Sequence, residues 1–181
     1  MRLPAVVVAV GTGVAAGLVA RGSFSALPAP WDTLANTSAL WGLAGTTAVL
    51  LTRERRTGPA AGLGALCLLV MAAVFAATST DVTVREVALW ALVGTVAGAA
   101  FGAATARVPD WRAVGAMGGV IVGEAVYGIA LIGGPQWWLE LAVGVALCGV
   151  ARRRAKALGL AAGLAVALFA AYLLYDAVAA A

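Results

Sequence analysis

Histidine is absent from this 181-residue sequence. Its absence excludes imidazole general bases, Ser-His and Cys-His nucleophile pairs, and most zinc sites. Cysteine is almost as scarce. Cys67 and Cys148 both stand inside apolar runs, where the expected role is that of a small buried core residue. Such usage does not require an oxidising compartment. No Asp-rich run of the diphosphate-binding kind occurs, so neither a metal site nor a cofactor is expected. Charge is also sparse: 11% of residues are charged and 63% hydrophobic, with a mean hydropathy of +1.00. Soluble domains are about half apolar and about a quarter charged. A soluble protein of this length cannot cover so much apolar surface, but a bilayer can.

Seven apolar segments account for that surface: Leu3–Ala20, Ala39–Thr52, Gly58–Thr78, Val87–Ala106, Ala113–Gly133, Trp137–Ala151 and Ala157–Val178. They are continuous rather than alternating, which predicts helices and not a β-barrel. Most approach the ~20 residues a spanning helix needs. The second is short and is expected to begin earlier, near Leu34; the sixth is short enough to be thin or tilted. The expected fold is all-α, a single polytopic domain over residues 1–181 with about seven transmembrane helices, in the cell membrane.

Arginine sets the orientation. Arg2, Arg53, Arg55, Arg56, Arg107, Arg112, Arg152, Arg153, Arg154 and Lys156 fall on one side of that topology, and only Arg21 and Arg85 on the other. The positive-inside rule then puts the N-terminus in the cytoplasm and the C-terminus outside. Trp31, Trp41, Trp90, Trp137 and Trp138 stand at outer segment ends and Trp111 at an inner one, as interfacial belts require. The net charge of +4 comes from these short loop clusters, so the bilayer is the expected partner and nucleic acid is not. A retained first helix is expected, with a cleaved signal peptide as the alternative. A Trp, an apolar run, a basic cluster and a second apolar run recur from Trp41, Trp90 and Trp138. The aromatic belt and charge bias generate that pattern unaided, and duplication is the alternative.

Glycines recur four apart at Gly13 and Gly17, Gly58 and Gly62, and Gly159 and Gly163, and as the triplets Gly94, Gly98, Gly102 and Gly115, Gly119, Gly123. The triplets predict close packing of the fourth segment on the fifth, with a homodimer or partner-subunit face as the alternative.

The polar residues are unevenly placed. Glu54 and Asp110 fall in cytoplasmic connections, whereas Asp32, Asp81, Glu86, Glu124, Glu140 and Asp176 fall at the centre or toward the outside, with Tyr127, Tyr172 and Tyr175. Glu124 is roughly 16 Å into the fifth segment at the helical rise, near the midplane. An acid there costs about 3 kcal/mol, so it needs a partner or water, and Tyr127, three residues on, shares its face. It is either a neutral interhelical bond or a proton relay, acid catalyst or cation site. Glu86, Glu140 and Asp176 lie near segment ends, where interfacial solvation accounts for each.

The stretch Pro28–Trp41 is the least membrane-like. Its prolines stop regular structure, and Asp32 or Thr33 is placed to cap a helix. It is either an outer cavity wall or a capped helix entry. Within it, Leu34-Ala35-Asn36-Thr37-Ser38-Ala39-Leu40-Trp41 resembles the Leu-Ala-Asn-Ser-x-x-x-Trp signature of a family of small, uncharacterised multi-pass proteins of actinobacteria. Length and segment number are similar too. The resemblance implies no activity, but it directs attention to Asn36 and Trp41. Heavy Ala, Gly and Arg usage, with one Lys, also fits a high-GC genome.

Three functions compete. A small-molecule carrier or substrate-binding subunit would have an outward-facing cavity lined by Glu124, Tyr127, Asn36 and Trp41, with Asp32, Glu140 and Trp90 as further candidates. Such a cavity suits an amphipathic or cationic solute. In general style this resembles the vitamin-capturing subunits of energy-coupling transporters. A membrane enzyme on an isoprenoid or lipid, similar in size to integral terpene cyclases, would use Glu124 as its acid. An accessory protein would have no small-molecule site.

Overall fold

The computed structural model describes residues 4–80 and 82–179, without the side chains of Asn36 and of 175–179, so Asp81 and the side chain of Asp176 lie outside the described residues. Among them the chain is all-α, with seven α-helices: α1 Ala5–Ala26, α2 Ser38–Thr52, α3 Thr57–Ala77, α4 Val84–Thr105, α5 Trp111–Tyr127, α6 Gln136–Cys148 and α7 Arg154–Ala179. A 3-10 turn, Trp31–Asn36, precedes α2, and a π-helical turn, Gly128–Ile132, prolongs α5. Six spans are long and apolar enough to cross a membrane, counting these turns with their helices. The second span does begin early, at Trp31, and so reaches 22 residues. Only α6, with 13 residues, is short, about 20 Å at the helical rise. Large apolar side chains such as Val19, Leu51, Leu92, Val96 and Val166 stay exposed, as lipid-facing residues do.

Caps show where the sequence breaks its helices. Thr37 caps α2: its hydroxyl accepts from Leu40 N at 3.4 Å and donates to the Leu34 carbonyl at 3.2 Å. The cap therefore falls later than Asp32 or Thr33. Asp32 Oδ1 instead accepts from Thr33 N at 3.0 Å inside the 3-10 turn. Asp110 caps α5 through Arg112 N at 2.8 Å. In the α2–α3 connection, Arg53 adopts a left-handed conformation with φ 56°. Glu54 there accepts from Arg56 Nε and Nη2, each at 3.2 Å. That guanidinium, helped by backbone N–H groups, holds the Glu54 carboxyl down to about 2.

The chain forms two compact units, Met1–Arg107 and Val108–Ala181. In the first, α3 packs against α1, α2 and α4. Its contact with α4 is backbone on backbone: a Cβ on Gly64 would run into the Gly98 carbonyl, and one on Gly98 into the Gly64 carbonyl. A Cβ on Gly102 would meet the Ala60 carbonyl. Gly13 and Gly17 give α1 the same intimacy with α3 at Cys67 and Met71. In the second unit, α5 packs on α6 and α7, with Gly115, Gly119 and Gly123 against Ala157, Ala161 and Ala165 of α7. The expected pairing of the α4 and α5 glycine stripes is thus corrected. Each stripe is buried inside its own unit, because α3 and α7 present small residues in matching register. Cys67 and Cys148 are free and buried, as expected.

The two units share a local plan. In each, glycines of the first helix lie against the third, and a Trp stands in the first turns of the second (Trp41 in α2, Trp137 in α6). The third helices carry Gly58-Pro59-Ala60-Ala61-Gly62-Leu63 and Gly159-Leu160-Ala161-Ala162-Gly163-Leu164 after a basic cluster. Ala60 and Ala161 are both buried, and all four of these glycines are open.

Candidate functional site

Four helix ends meet at one end of the first unit: the close of α1, the start of α2, the close of α3 and the start of α4. They enclose a cavity of about 390 Å³. Ligand pockets run from about 300 to 1,000 Å³. Four aromatic rings line it, Phe24, Trp41, Phe75 and Trp90. Trp41 and Trp90 stand 6.0 Å apart between centroids at 39°. Phe24 meets Phe75 edge-on at 6.2 Å and 79°. Gly94 leaves room for the Trp41 ring, since a Cβ there would stand 3.0 Å from Cζ3. The indole Nε1 of Trp41 is buried and has no hydrogen-bond partner among the described residues.

Among the described residues, two charged ones join the wall, Arg21 and Glu86. Glu86 completes a capping box: its Oε2 accepts from Thr83 N at 2.8 Å and from the Thr83 hydroxyl at 2.7 Å, while Thr83 Oγ1 accepts from Glu86 N at 3.3 Å. Arg21 was expected in the first connection. It stands inside α1, which continues past Ala20 to Ala26. Its guanidinium forms no hydrogen bond or ion pair among the described residues.

A second polar group lies in the other unit. Tyr127 of α5 and Tyr172 of α7 stack at 4.6 Å and 38°. Tyr172 lies within electrostatic reach of Glu124, Tyr127 and Glu140, so all three helices contribute. Glu124, Tyr127 and Glu140 are each engaged in polar interactions. Glu140 is 1% exposed, as is Gln136 one turn before it. Interfacial solvation therefore does not account for Glu140, because α6 turns that face inward. Glu124, the deeper acid by sequence, is only partly buried. Gly128, in the π-helical turn, lies directly under the Trp137 indole. Such turns recur at functional sites.

The structure thus brings Trp41 together with Trp90, and Glu124 with Tyr127 and Glu140. Asp32 is partly buried in the 3-10 turn and is not among the cavity-lining residues. The side chain of Asn36 lies outside the described residues. Sequence reasoning missed Arg21, Phe24, Phe75 and Gln136. Phenylalanine at helix ends escaped a search for Trp and Tyr belts, and Gln136 carried its signal in the i, i+4 spacing to Glu140.

Neither a curated protein nor a solved structure matches the chain. One family model matches it over residues 1–181, a family of unknown function (DUF6518), and the chain, whose described residues are all-helical with six spans long and apolar enough to cross a membrane, belongs to that family.

Proposed function

We propose that this protein is a small-molecule carrier or the substrate-binding subunit of one, and that it holds an amphipathic solute in the aromatic cavity of its first unit. The cavity carries this reading. It lies at the ends of α1–α4 opposite the connection that bears Arg53, Arg55 and Arg56. If those arginines mark the cytoplasmic side, the cavity opens to the outer half of the membrane. Aromatic walls with a few polar groups suit a solute with one apolar part and one polar part. The shared plan of α1–α3 and α5–α7 supports transport, since many carriers are built from internal repeats. The composition, rich in Ala, Gly and Arg, supports an actinobacterial source.

Cysteine labelling on intact cells tests the reading. The native thiols are buried, so background is low. Ala76→Cys, in the cavity wall, is expected to react with a membrane-impermeant maleimide from outside. Arg55→Cys is expected to react only after permeabilisation. The reverse pattern would reject the proposal. Uptake into proteoliposomes of a solute that protects Ala76→Cys would separate a carrier from a binding subunit.

A further inference from the structure

We infer that the solute is an organic anion, with its acidic head held by Arg21 and its apolar body held between Phe24, Trp41, Phe75 and Trp90. This rests on the cavity being a solute site and adds the sign of the solute's charge. Aromatic walls alone suit a cation, one of the two solute classes, amphipathic or cationic, that the sequence allows. The charged groups that the described residues bring to the cavity point the other way. Glu86 already has its carboxylate held by both the N–H and the hydroxyl of Thr83, at the positive end of α4. Arg21 has no such compensation. It forms no bond among the described residues and stands outside the last turn of α1, where the helix dipole would favour it.

Its planar fork of donors fits a carboxylate in bidentate fashion. Trp41, whose ring lines the wall, also has its buried Nε1 donor without a partner among the described residues. What complements the unmatched guanidinium in this wall is a negatively charged acceptor. A cationic head would instead face the guanidinium directly. Arg21 is also one of only two basic residues on the side of the chain that the arginine count leaves poor in basic residues. Topology therefore does not explain its presence.

The test uses the full chain in phosphatidylcholine nanodiscs and titration calorimetry with three isosteres: 3-phenylpropanoate, 3-phenylpropylamine and 3-phenylpropanol. The carboxylate is expected to bind at least about tenfold tighter than the amine, as one charge-assisted bidentate pair implies. Arg21→Gln is expected to remove that advantage and bring carboxylate and alcohol level. Arg21→Lys, which keeps the charge and loses the fork, is expected to fall between, and it stands in if the Gln variant fails to fold. Preferred binding of the amine, or carboxylate affinity indifferent to both variants, would overturn the anion assignment and leave the cavity reading intact. Failure of all three compounds to bind would overturn the cavity reading and the anion assignment with it.

Discussion

Glu140 and Gln136 stand one turn apart on the same face of α6, each 1% exposed. A carboxyl so buried needs a partner or stays neutral, and Glu140 interacts electrostatically with Tyr172 of α7. Replacement by Gln keeps the shape and most of the bonding capacity. Replacement by Ala leaves a partner unmatched, at about 1–3 kcal/mol. Glu140→Ala is therefore expected to melt several degrees below wild type in detergent, with Glu140→Gln close to it. Equal melting of the two would show that the carboxyl makes no bond that matters. The sequence pointed to Glu124 because depth along a segment can be counted from one end. Burial depends on which face a helix turns toward its neighbours, and α6 is too short for a clear apolar stripe to reveal that. The aromatic pair Trp41 and Trp90 was half legible: each was visible as a belt residue, but their meeting needed the α3 register.

Helix–helix contacts depend on which glycines are covered. Gly64 and Gly98 meet backbone to backbone, so any Cβ there forces α3 and α4 apart. Gly62, two residues away on α3, faces open space. Gly64→Ala is expected to abolish a monodisperse peak in size-exclusion chromatography. Gly62→Ala is expected to be neutral or to raise the melting point slightly, since Ala is favoured over Gly in a helix by about 1 kcal/mol. Similar behaviour of the two variants would contradict the packing described. The run lengths gave the helices to within a few residues, apart from the extended end of α1. Partner choice was not legible. A small-residue stripe indicates that a neighbour comes close, but the neighbour's own small residues (Ala60 and Gly64, or Ala157 and Ala161) decide which helix it is.

At the scale of the whole chain, composition and continuous apolar runs sufficed for an all-helical fold with helices long and apolar enough to cross a membrane. Orientation rests on the arginine bias, and the count of crossings rests on α6. Seven crossings leave the two termini on opposite sides, whereas six leave them together. Alkaline phosphatase fused after Ala181 is expected to be active and green fluorescent protein in the same place dark, which places that end outside the cytoplasm. The opposite pair of results would mean either that α6 does not cross or that the arginine bias has the orientation inverted, and the Arg55→Cys labelling decides between the two. If α6 does cross, its 13 residues span only about two-thirds of a typical hydrocarbon layer. Acyl chains beside it must shorten, or the Arg152–Arg154 cluster must reach up to the headgroups while the Gly133–Gln136 end dips to meet them. The protein then wears a dimple in its lipid coat at that helix, and a thicker bilayer would press hardest on the wall that shelters Glu140.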